Sequence, residues 1–384
     1  MNFLVATFAA LALLSLALTL WQWLAARRFP LHQRVTDSSL APAITLLKPL
    51  KGCDATTAKS LHSWLNQNYA GQIQILFGVA DAGDPVCKTV RELIEKNPGH
   101  DAQLVVCAES PGANGKVSTL IQLEQLARHP LILVSDADVR VPPDLLANIV
   151  APLRDPQNGL VSCFYRLANP VTTAMRCEAV AINADFWSQV LQSASLKPLD
   201  FALGAAMLMR RKLLEEIGGF AALTNCLADD YQLGHRIAQR GHRIVLCPVV
   251  VECWDAPMNW RDVWKHQLRW ARTIRVCQPV PYFFSILSNA TLWPLLWLIA
   301  SLLWSKTLYA PPIAAVCLLI RMVLAQNLQR RLMPSRNNLV PLWLVPVKDL
   351  LQAATWAGAF LGNTVEWRGQ KMCLLRDGTL ITEK

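Results

Sequence analysis

The stretch Leu131-Ile132-Leu133-Val134-Ser135-Asp136-Ala137-Asp138 decides the fold of this chain. Its first five residues carry no charge and are mostly aliphatic, which predicts a short buried strand. Two carboxylates follow, one residue apart, where that strand must end. Carboxylate oxygens so placed suit a hard divalent cation whose other ligands are phosphate oxygens. Alone, an Asp-x-Asp is more often a solvated turn, so the rest of the sequence must supply the other parts of a site.

The region from residue 41 to 277 contains further apolar runs of strand length, at 44–47, 73–79, 104–107 and 160–164. Amphipathic stretches such as 58–68 and 86–96 separate them. This alternation predicts an α/β domain with a mostly parallel sheet covered by helices on both faces. Sheets of this kind bind ligands at the carboxyl ends of their strands. Asp81 and Asp136 each follow a predicted strand directly, so both are expected at that edge.

The composition indicates a soluble domain joined to membrane segments. Hydrophobic residues make up 53% of the 384 residues and charged residues only 17%, with 14 Trp. The formal net charge of +10 fits an anionic partner such as a lipid surface or a diphosphate. Nucleic acid is disfavoured, because the basic residues form no long run interleaved with aromatic residues. The 11 Cys show no C-x-x-C pair, which favours reduced cytosolic thiols over disulfides or zinc.

An N-terminal membrane anchor is predicted over residues 1–28. Residues 3–26 are uncharged and long enough to cross a bilayer. The run is too long for a typical signal peptide and lacks a basic segment before it, so cleavage is not expected. Arg27 and Arg28 follow the run, and positive residues favour the cytoplasmic side.

A second group of apolar segments follows the α/β domain. Residues 280–327 predict two transmembrane helices, at 283–305 and 308–327. The stretch 339–361 is interrupted by two Pro, a Lys and an Asp. Either a full crossing or a re-entrant or interfacial segment fits it. The second is preferred, because a full crossing would leave the basic tail, 362–384, outside.

Four more motifs lie in order along the α/β domain and its end. They are Asp81, the loop Gly112-Ala113-Asn114-Gly115-Lys116, the run Ala228-Asp229-Asp230-Tyr231, and His266-Gln267-Leu268-Arg269-Trp270. From the residues alone, the glycine-rich loop either contacts a diphosphate or is solvated. The paired carboxylates either accept a proton or cap a helix. The last motif either binds an anion or lies at a membrane surface.

These motifs, with Leu47-Lys48-Pro49-Leu50-Lys51-Gly52 and the tail Gly362-Asn363-Thr364-Val365-Glu366-Trp367-Arg368-Gly369, resemble a known family. They are similar to the membrane-bound family-2-type and family-21-type glycosyltransferases, especially ceramide glucosyltransferases and their bacterial relatives in hopanoid glycosylation. The resemblance runs from about residue 44 to 270. It implies a nucleotide-diphospho-sugar transferase domain of the GT-A type over 41–277, together with transmembrane helices.

The resemblance implies roles on the donor side of the site. Asp81 matches the aspartate that contacts the nucleotide. Asn114 and Lys116 are expected to contact the diphosphate. Asp136 and Asp138 match the position that holds Mg²⁺ or Mn²⁺ on the diphosphate, with Asp136 the more secure of the two because some relatives keep only the first aspartate.

On the acceptor side, Asp230 matches the catalytic base that takes the proton of the acceptor hydroxyl. His266, Arg269 and Trp270 match a motif that begins with Gln or Arg, so His266 departs from the family pattern. Arg269 is expected to hold the diphosphate and Trp270 to line the acceptor or sugar pocket. The departure at His266 concerns the leaving-group contact and leaves the reaction class unchanged.

The sequence therefore predicts an inverting glycosyltransferase that moves a hexose, glucose or N-acetylglucosamine, from a UDP-sugar to a membrane lipid such as ceramide or a hopanoid. It is expected in the inner membrane as a multi-pass protein, with its catalytic domain in the cytoplasm. Two alternatives stay open: a processive polysaccharide synthase, and a membrane-anchored nucleotide-binding protein without activity. The small number of membrane segments argues against the first and against a transporter.

Overall fold

The computed structural model describes residues 2–305, 309–333, 340–367, 370–375 and 378–382. Its helices are α1 (Asn2–Arg28), α2 (Thr57–Leu65), α3 (Val86–Lys96), α4 (Gly115–Leu126), α5 (Leu145–Val150), α6 (Thr173–Val180), α7 (Trp187–Ala194), α8 (Arg211–Glu216), α9 (Asp229–Gln239), α10 (Trp260–Cys277), α11 (Pro279–Ser285), α12 (Leu292–Ala300), α13 (Ala310–Leu332) and α14 (Leu344–Ala359). Its strands are β1 (Ile44–Leu50), β2 (Ile73–Val79), β3 (Asp101–Val106), β4 (Leu131–Ser135), β5 (Val139–Arg140), β6 (Asn158–Leu167), β7 (Ala206–Arg210), β8 (Arg243–Cys253), β9 (Thr364–Trp367), β10 (Gln370–Leu374) and β11 (Leu380–Thr382).

The chain divides into two compact units. The sheet unit comprises Pro30–Asn169, Lys197–Ala256 and Gly378–Lys384. The helical unit comprises Met1–Phe29, Pro170–Leu196 and Pro257–Asp377. Helices α6, α7 and α10, which fall within the range 41–277, pack in the helical unit.

The sheet unit contains an eight-stranded sheet in the order β3-β2-β1-β4-β7-β6-β8-β5. Strands β3, β2, β1 and β4 are parallel to one another. Strand β7 is antiparallel to both its neighbours, β8 is parallel to β6, and β5 is antiparallel to β8. The predicted α/β fold with a mostly parallel sheet is confirmed, and strands 73–79 and 131–135 have the predicted bounds.

Alternate residues of the central strands face opposite sides of the sheet, as strand geometry requires. Leu46 and Leu133 belong to one hydrophobic cluster, which α2, α3 and α5 cover. Leu47 and Val134 belong to a second cluster on the other face, which α4 and α9 cover. Because both faces are buried, the central strands are mostly apolar, and this is why they were predictable from the sequence.

The order of the parallel strands creates a ligand-binding edge. From β1 the chain continues outward to β2 and β3 and then returns to β4 on the other side of β1. A crevice forms at the carboxyl ends of the strands where the order reverses in this way. Asp136 follows β4 directly and Asp81 follows β2, so both lie at this edge.

The turn after β2 is tied to the end of β1 by Asp84. Its carboxylate accepts the N–H of Val86, at 2.9 Å, and the N–H of Gly52, at 2.9 Å. The first contact holds the start of α3, as expected of a residue that caps a helix. The second contact fixes the loop that follows β1 at the same edge of the sheet.

Two helices of the helical unit, α1 and α13, are long and apolar enough to cross a membrane. A third span is possible where Pro279–Ser288 and Leu292–Trp304 form a pair bent by 54°. The single helix predicted at 283–305 is thus broken. Asn289 explains the break, because its side-chain oxygen accepts the N–H of Leu292 at 2.9 Å and so caps a new helix. Helix α14 has 16 residues and falls short of a full span.

A cluster of four charged side chains is buried in the helical unit. Arg321 of α13 donates to Asp349 at 2.9 Å and 2.8 Å and to Asp185 at 2.8 Å. Lys348 contacts both carboxylates as well. None of the four side chains is more than 6% exposed. Arg321 therefore pairs inside the unit and does not extend to a lipid surface.

Replacing Arg321 with methionine is expected to destabilise the helical unit by about 3–5 kcal/mol, because it leaves two buried carboxylates with one cation. Denaturant unfolding of the protein in detergent measures the effect. Arg330 lies on the same helix but is exposed. Arg330→Met is the matched control, with an expected change under about 0.5 kcal/mol. Equal losses in the two variants would show that the cluster adds no stability.

Candidate active site

Lys116 joins carboxylates from two distant motifs of the sheet unit. Its Nζ lies 2.8 Å from Asp136 Oδ1 and 2.9 Å from Asp229 Oδ2. Burial lowers the pKa of Lys116, but Asp136 and Asp229 outweigh burial and hold that pKa well above its usual range. Lys116 therefore remains a cation. The structure brings the Asp-x-Asp, the glycine-rich loop and the Asp229-Asp230 pair to one place.

Asn114 is fully buried at the start of α4. Its side-chain oxygen accepts the N–H groups of Lys116, at 3.0 Å, and Val117, at 3.2 Å. Its amide donates to the carbonyl oxygen of Cys226 at 2.7 Å. Asn114 thus caps the helix and ties the Lys116 loop to the segment that precedes Asp229. The sequence had suggested a ligand contact, whereas the side chain is used inside the protein.

Asp136 and Asp138 lie on the turn between β4 and β5. The side chain of Asp136 is 39% exposed. Burial raises the pKa of Asp138 to about 7, and Asp255 and Asp136 add to the effect. Among the described residues, no group of three or more His, Cys, Asp or Glu could hold a metal by itself. The pair fits Mg²⁺ or Mn²⁺ when a diphosphate supplies further oxygen ligands, since these ions commonly use one or two carboxylates with substrate phosphates.

Asp81 is exposed just after β2. Its Oδ1 accepts the N–H of Gly83 at 2.9 Å, which holds the carboxylate over the turn that leads into α3. A side chain in this position is open to a ligand at the carboxyl edge of the sheet. The structure thus places Asp81 at the predicted edge. Asp81 follows β2 and Asp136 follows β4, and β1 lies between these two strands.

Asp230 is the second residue of α9 and is partly buried. Burial raises the pKa of its carboxyl group to about 6, Asp229 raises it further, and Lys116 opposes them. Gly204 leaves room beside this carboxylate, because a Cβ at that position would lie 2.9 Å from Asp230 Oδ2. The small residue at 204 is therefore needed for close packing against Asp230.

Another buried amine lies beneath the Asp-x-Asp turn. Lys48 of β1 is fully buried, and its Nζ donates to Ser135 Oγ at 3.1 Å and to the carbonyl oxygen of Asp136. Burial lowers the pKa of Lys48 to about 7, against the opposing effect of Asp138 and Asp136. In the sequence, Lys48 stood out only as part of the Leu47–Gly52 motif.

The His266 motif lies on α10 in the helical unit. His266 Nδ1 is 2.7 Å from Glu178 Oε1, and the side chain of Gln267 donates to the same oxygen at 2.7 Å. The rings of His266 and Trp270 have centroids 4.7 Å apart. Glu178 is fully buried, and sequence reasoning missed it. Its only signal was a carboxylate in an otherwise small and apolar part of α6.

The tail motif at 362–369 contacts the same helix. Lys265 of α10 forms an ion pair of 2.8 Å with Glu366 of β9, and Arg272 donates to the carbonyl oxygen of Thr364. The helix itself begins with a capping box formed by Asn259 and Asp262. Residues 368 and 369 of the motif lie outside the described residues.

The chain was compared with protein families and curated proteins. The sequence model described as glycosyl transferase family 21 matches residues 7–381. Ceramide glucosyltransferase 3 of Caenorhabditis elegans is 24% identical over 224 residues, which are 56% of this chain and 47% of that protein. Ceramide glucosyltransferase of Candida albicans is 30% identical over 128 residues, 30% of this chain and 24% of that protein. The chain thus spans at most about half the length of these relatives.

Comparison with solved structures shows the fold. A mannosyltransferase from Pyrobaculum calidifontis, described in complex with GDP-Man and Mn²⁺, matches with a TM-score of 0.56 and 21% identity. The match covers 93% of this chain and 99% of that chain. The predicted GT-A type of fold is confirmed.

Proposed function

Since the chain belongs to glycosyl transferase family 21, we propose that it transfers a hexose from a UDP-sugar to the hydroxyl group of a membrane lipid, ceramide or a hopanoid. The observation that carries this proposal is the Lys116 bridge between Asp136 and Asp229, beside Asp230, at the carboxyl edge of the sheet. The names of the curated relatives support ceramide as the acceptor class. The GDP-Man and Mn²⁺ of the solved mannosyltransferase support a nucleotide-sugar donor and a divalent cation.

On the donor side, we assign nucleotide binding to Asp81 and diphosphate binding to Lys116. Asp136 and Asp138 would hold Mg²⁺ or Mn²⁺, which neutralises charge on the departing diphosphate. Lys116 adds a fixed positive charge at the same edge, and preorganised charge of this kind stabilises a transition state without reorganisation. Asn114 contributes by holding the Lys116 loop in place.

On the acceptor side, Asp230 is the proposed base. It takes the proton of the lipid hydroxyl while that oxygen attacks the anomeric carbon. A pKa of about 6 leaves the carboxylate ionised at neutral pH and makes it a stronger base than an ordinary aspartate. A single displacement inverts the configuration of the sugar. The two or three candidate spans among the described residues argue against the alternative, a processive synthase.

We propose that the α10 motif of the helical unit also takes part in the reaction. Glu178 engages Nδ1 of His266, so Nε2 is the ring nitrogen that can face a ligand. We assign Arg269 to the diphosphate, because a guanidinium binds phosphate oxygens in a fork. Trp270 is assigned to the wall of the acceptor or sugar pocket.

The membrane layout supports a cytoplasmic active site. Arg331 of α13 donates to the carbonyl oxygens of Ala26 at 3.1 Å, Arg27 at 3.0 Å and Phe29 at 2.7 Å. The basic ends of α1 and α13 therefore lie together, on one side of the membrane. Positive residues favour the cytoplasm. We accordingly propose a multi-pass protein of the inner membrane.

The rate of transfer is expected to fall as the pH drops through about 6, because Asp230 must be ionised to accept a proton. Asp229 raises the pKa of Asp230, so Asp229→Asn should move this acid limb to lower pH. The measurement is kcat/KM between about pH 5 and 8. Glu216→Gln, an exposed carboxylate elsewhere in the unit, is the control. An acid limb that stays in place in Asp229→Asn contradicts the assignment of Asp230.

Mass spectrometry of total lipids from cells with and without the chain tests the proposed function. The purified protein is supplied in parallel with UDP-glucose, UDP-N-acetylglucosamine and GDP-mannose. A new hexosyl-lipid is expected, and it identifies both sugar and acceptor. Formation of a long polymer would instead support the processive synthase. Nucleotide binding without any transfer would support the inactive binding protein.

A further inference from the structure

Lys48 occupies an unusual position in the core of the sheet unit. Its side chain is fully buried in β1, and lysine is almost never fully buried unless it is paired. No carboxylate among the described residues lies within 4 Å of its Nζ. The three acceptors of Nζ are Ser135 Oγ at 3.1 Å, the carbonyl oxygen of Val139 at 3.4 Å and the carbonyl oxygen of Asp136.

All three acceptors belong to residues 135–139, the segment that carries the Asp-x-Asp. Nζ thus holds the end of β4, the turn and the start of β5 from below. The carbonyl oxygen of Asp136 also accepts the N–H of Val139 at 3.3 Å. An amine donates two hydrogens and an ammonium three, so either form of Lys48 can hold the two carbonyl groups.

Trp64 of α2 supports the same arrangement. Its ring centroid lies 5.0 Å from Lys48 Nζ, and its Nε1 donates to the carbonyl oxygen of Val139 at 3.0 Å. Trp64 does not reach the carbonyl of Asp136, whereas Lys48 does. Substituting Trp64 therefore tests the contact with Val139, whereas substituting Lys48 also tests the contact with Asp136.

A lysine is costly at this position, since the surrounding strand core is apolar and burying an amine carries a desolvation penalty. An aliphatic side chain would pack there without that penalty, but it would leave the carbonyl of Asp136 without this donor. The geometry consequently links the lysine to the conformation of the turn.

We propose that Lys48 is a positioning residue that fixes the Asp136-Ala137-Asp138 turn, and with it the relative placement of the two carboxylates that bind a divalent cation. The inference rests on the proposed metal-dependent function. Partners that orient metal ligands from behind typically change metal affinity 10- to 100-fold when they are removed.

The direction of the change in metal affinity distinguishes positioning from simple electrostatics. Loss of a positive charge near Asp136 and Asp138 would leave binding of a divalent cation unchanged or make it tighter. Loss of a positioning contact would loosen the turn and make binding weaker. Lys48→Met removes the charge and the donors together while keeping an unbranched side chain of similar length, so the sign of its effect is decisive.

Binding of Mn²⁺ to the full-length protein in detergent, with UDP present, is followed by electron paramagnetic resonance. Lys48→Met is expected to weaken Mn²⁺ binding by at least about tenfold and to alter the spectrum of the bound ion. Trp64→Phe, which removes the donor to Val139 but keeps an aromatic ring beside Lys48, is the matched control, with an expected change below about threefold. Folded Lys48→Met protein with unchanged or tighter Mn²⁺ binding would overturn the proposal.

Ser135→Ala provides a second test in case Lys48→Met does not fold. It removes one acceptor of Lys48 Nζ and leaves the lysine in place. It should weaken Mn²⁺ binding about two- to threefold. If Lys48→Met does not fold, wild-type Mn²⁺ binding in Ser135→Ala overturns the proposal. If the wild-type protein binds Mn²⁺ and transfers sugar, and both variants bind Mn²⁺ as the wild type does, the role of Lys48 is refuted but the proposed function is not. Wild-type protein that binds no Mn²⁺ refutes the proposed metal site as well.

Discussion

Replacing Asp230 with asparagine is expected to lower kcat about a thousandfold, within the range that general bases contribute. Asparagine keeps the shape of the side chain, and its oxygen can still accept the N–H of Tyr231, which Asp230 accepts at 2.8 Å. It cannot take a proton from the acceptor hydroxyl. The KM for the nucleotide sugar should change little, because the donor is bound by Asp81, Lys116 and the Asp-x-Asp in our assignment.

Initial rates at saturating donor and acceptor, with separate measurement of nucleotide binding, check this prediction. Asp144→Asn is the control, since Asp144 forms a surface ion pair with Arg34 and its side chain is 40% exposed. The control is expected to keep wild-type kcat. If Asp230→Asn also keeps it, Asp230 is not the base, and Asp229 becomes the residue to examine.

Replacing Asp136 with asparagine is expected to reduce kcat/KM by about 10²–10³-fold, the scale typical of losing one electrostatic stabiliser of a transition state. The change removes a proposed cation ligand, and it leaves Asp229 as the remaining carboxylate partner of Lys116. Unlike Asp230→Asn, this variant should also lose cation-dependent binding of UDP. Equilibrium binding of UDP with and without Mn²⁺ measures that loss.

Asp138→Asn is the matched control for Asp136→Asn, because it lies on the same turn and makes the same side-chain change. We expect a smaller loss of kcat/KM, since Asp138 is the less secure ligand. A larger loss in Asp138→Asn than in Asp136→Asn would reverse the assignment of the two carboxylates. Wild-type kcat/KM in both variants would remove the Asp-x-Asp from the site.

The centre of the sheet was predictable because β1, β2 and β4 are buried on both faces. The runs at 73–79 and 131–135 are mostly apolar, each with one polar residue, Gln74 or Ser135, and their ends could be placed to the residue. Because parallel strands end at the same edge of a sheet, the strand ends predicted that Asp81 and Asp136 lie at one edge. The diphosphate contact of the glycine-rich loop stays a prediction. Its Asn114 caps α4 and also donates to the distant carbonyl of Cys226.

Contacts between residues far apart in sequence could not be predicted. Lys48 bonds to carbonyl groups about ninety residues away, and no local pattern marks a buried amine. Arg321 pairs with Asp185, between α6 and α7, and with Asp349 of α14. From the sequence, a lone arginine near the end of an apolar run is equally compatible with lipid headgroups.

The boundaries of the helical unit could not be predicted from the sequence either. Helix α7 has a continuous apolar face, which suits a sheet cover and a membrane bundle equally. The break at Asn289 depends on one capping side chain within a run whose hydropathy predicts a single span. Hydrophobic length alone therefore gave the number of apolar segments but not their shape.

The configuration of the transferred sugar tests the central claim most directly. If Asp230 is the only base and the lipid hydroxyl displaces the diphosphate in one step, an α-linked UDP-sugar must give a β-linked glycolipid. Proton nuclear magnetic resonance of the purified product reads the configuration from the coupling of the anomeric proton. A β-linked product is the predicted result, and an α-linked product would contradict the single displacement.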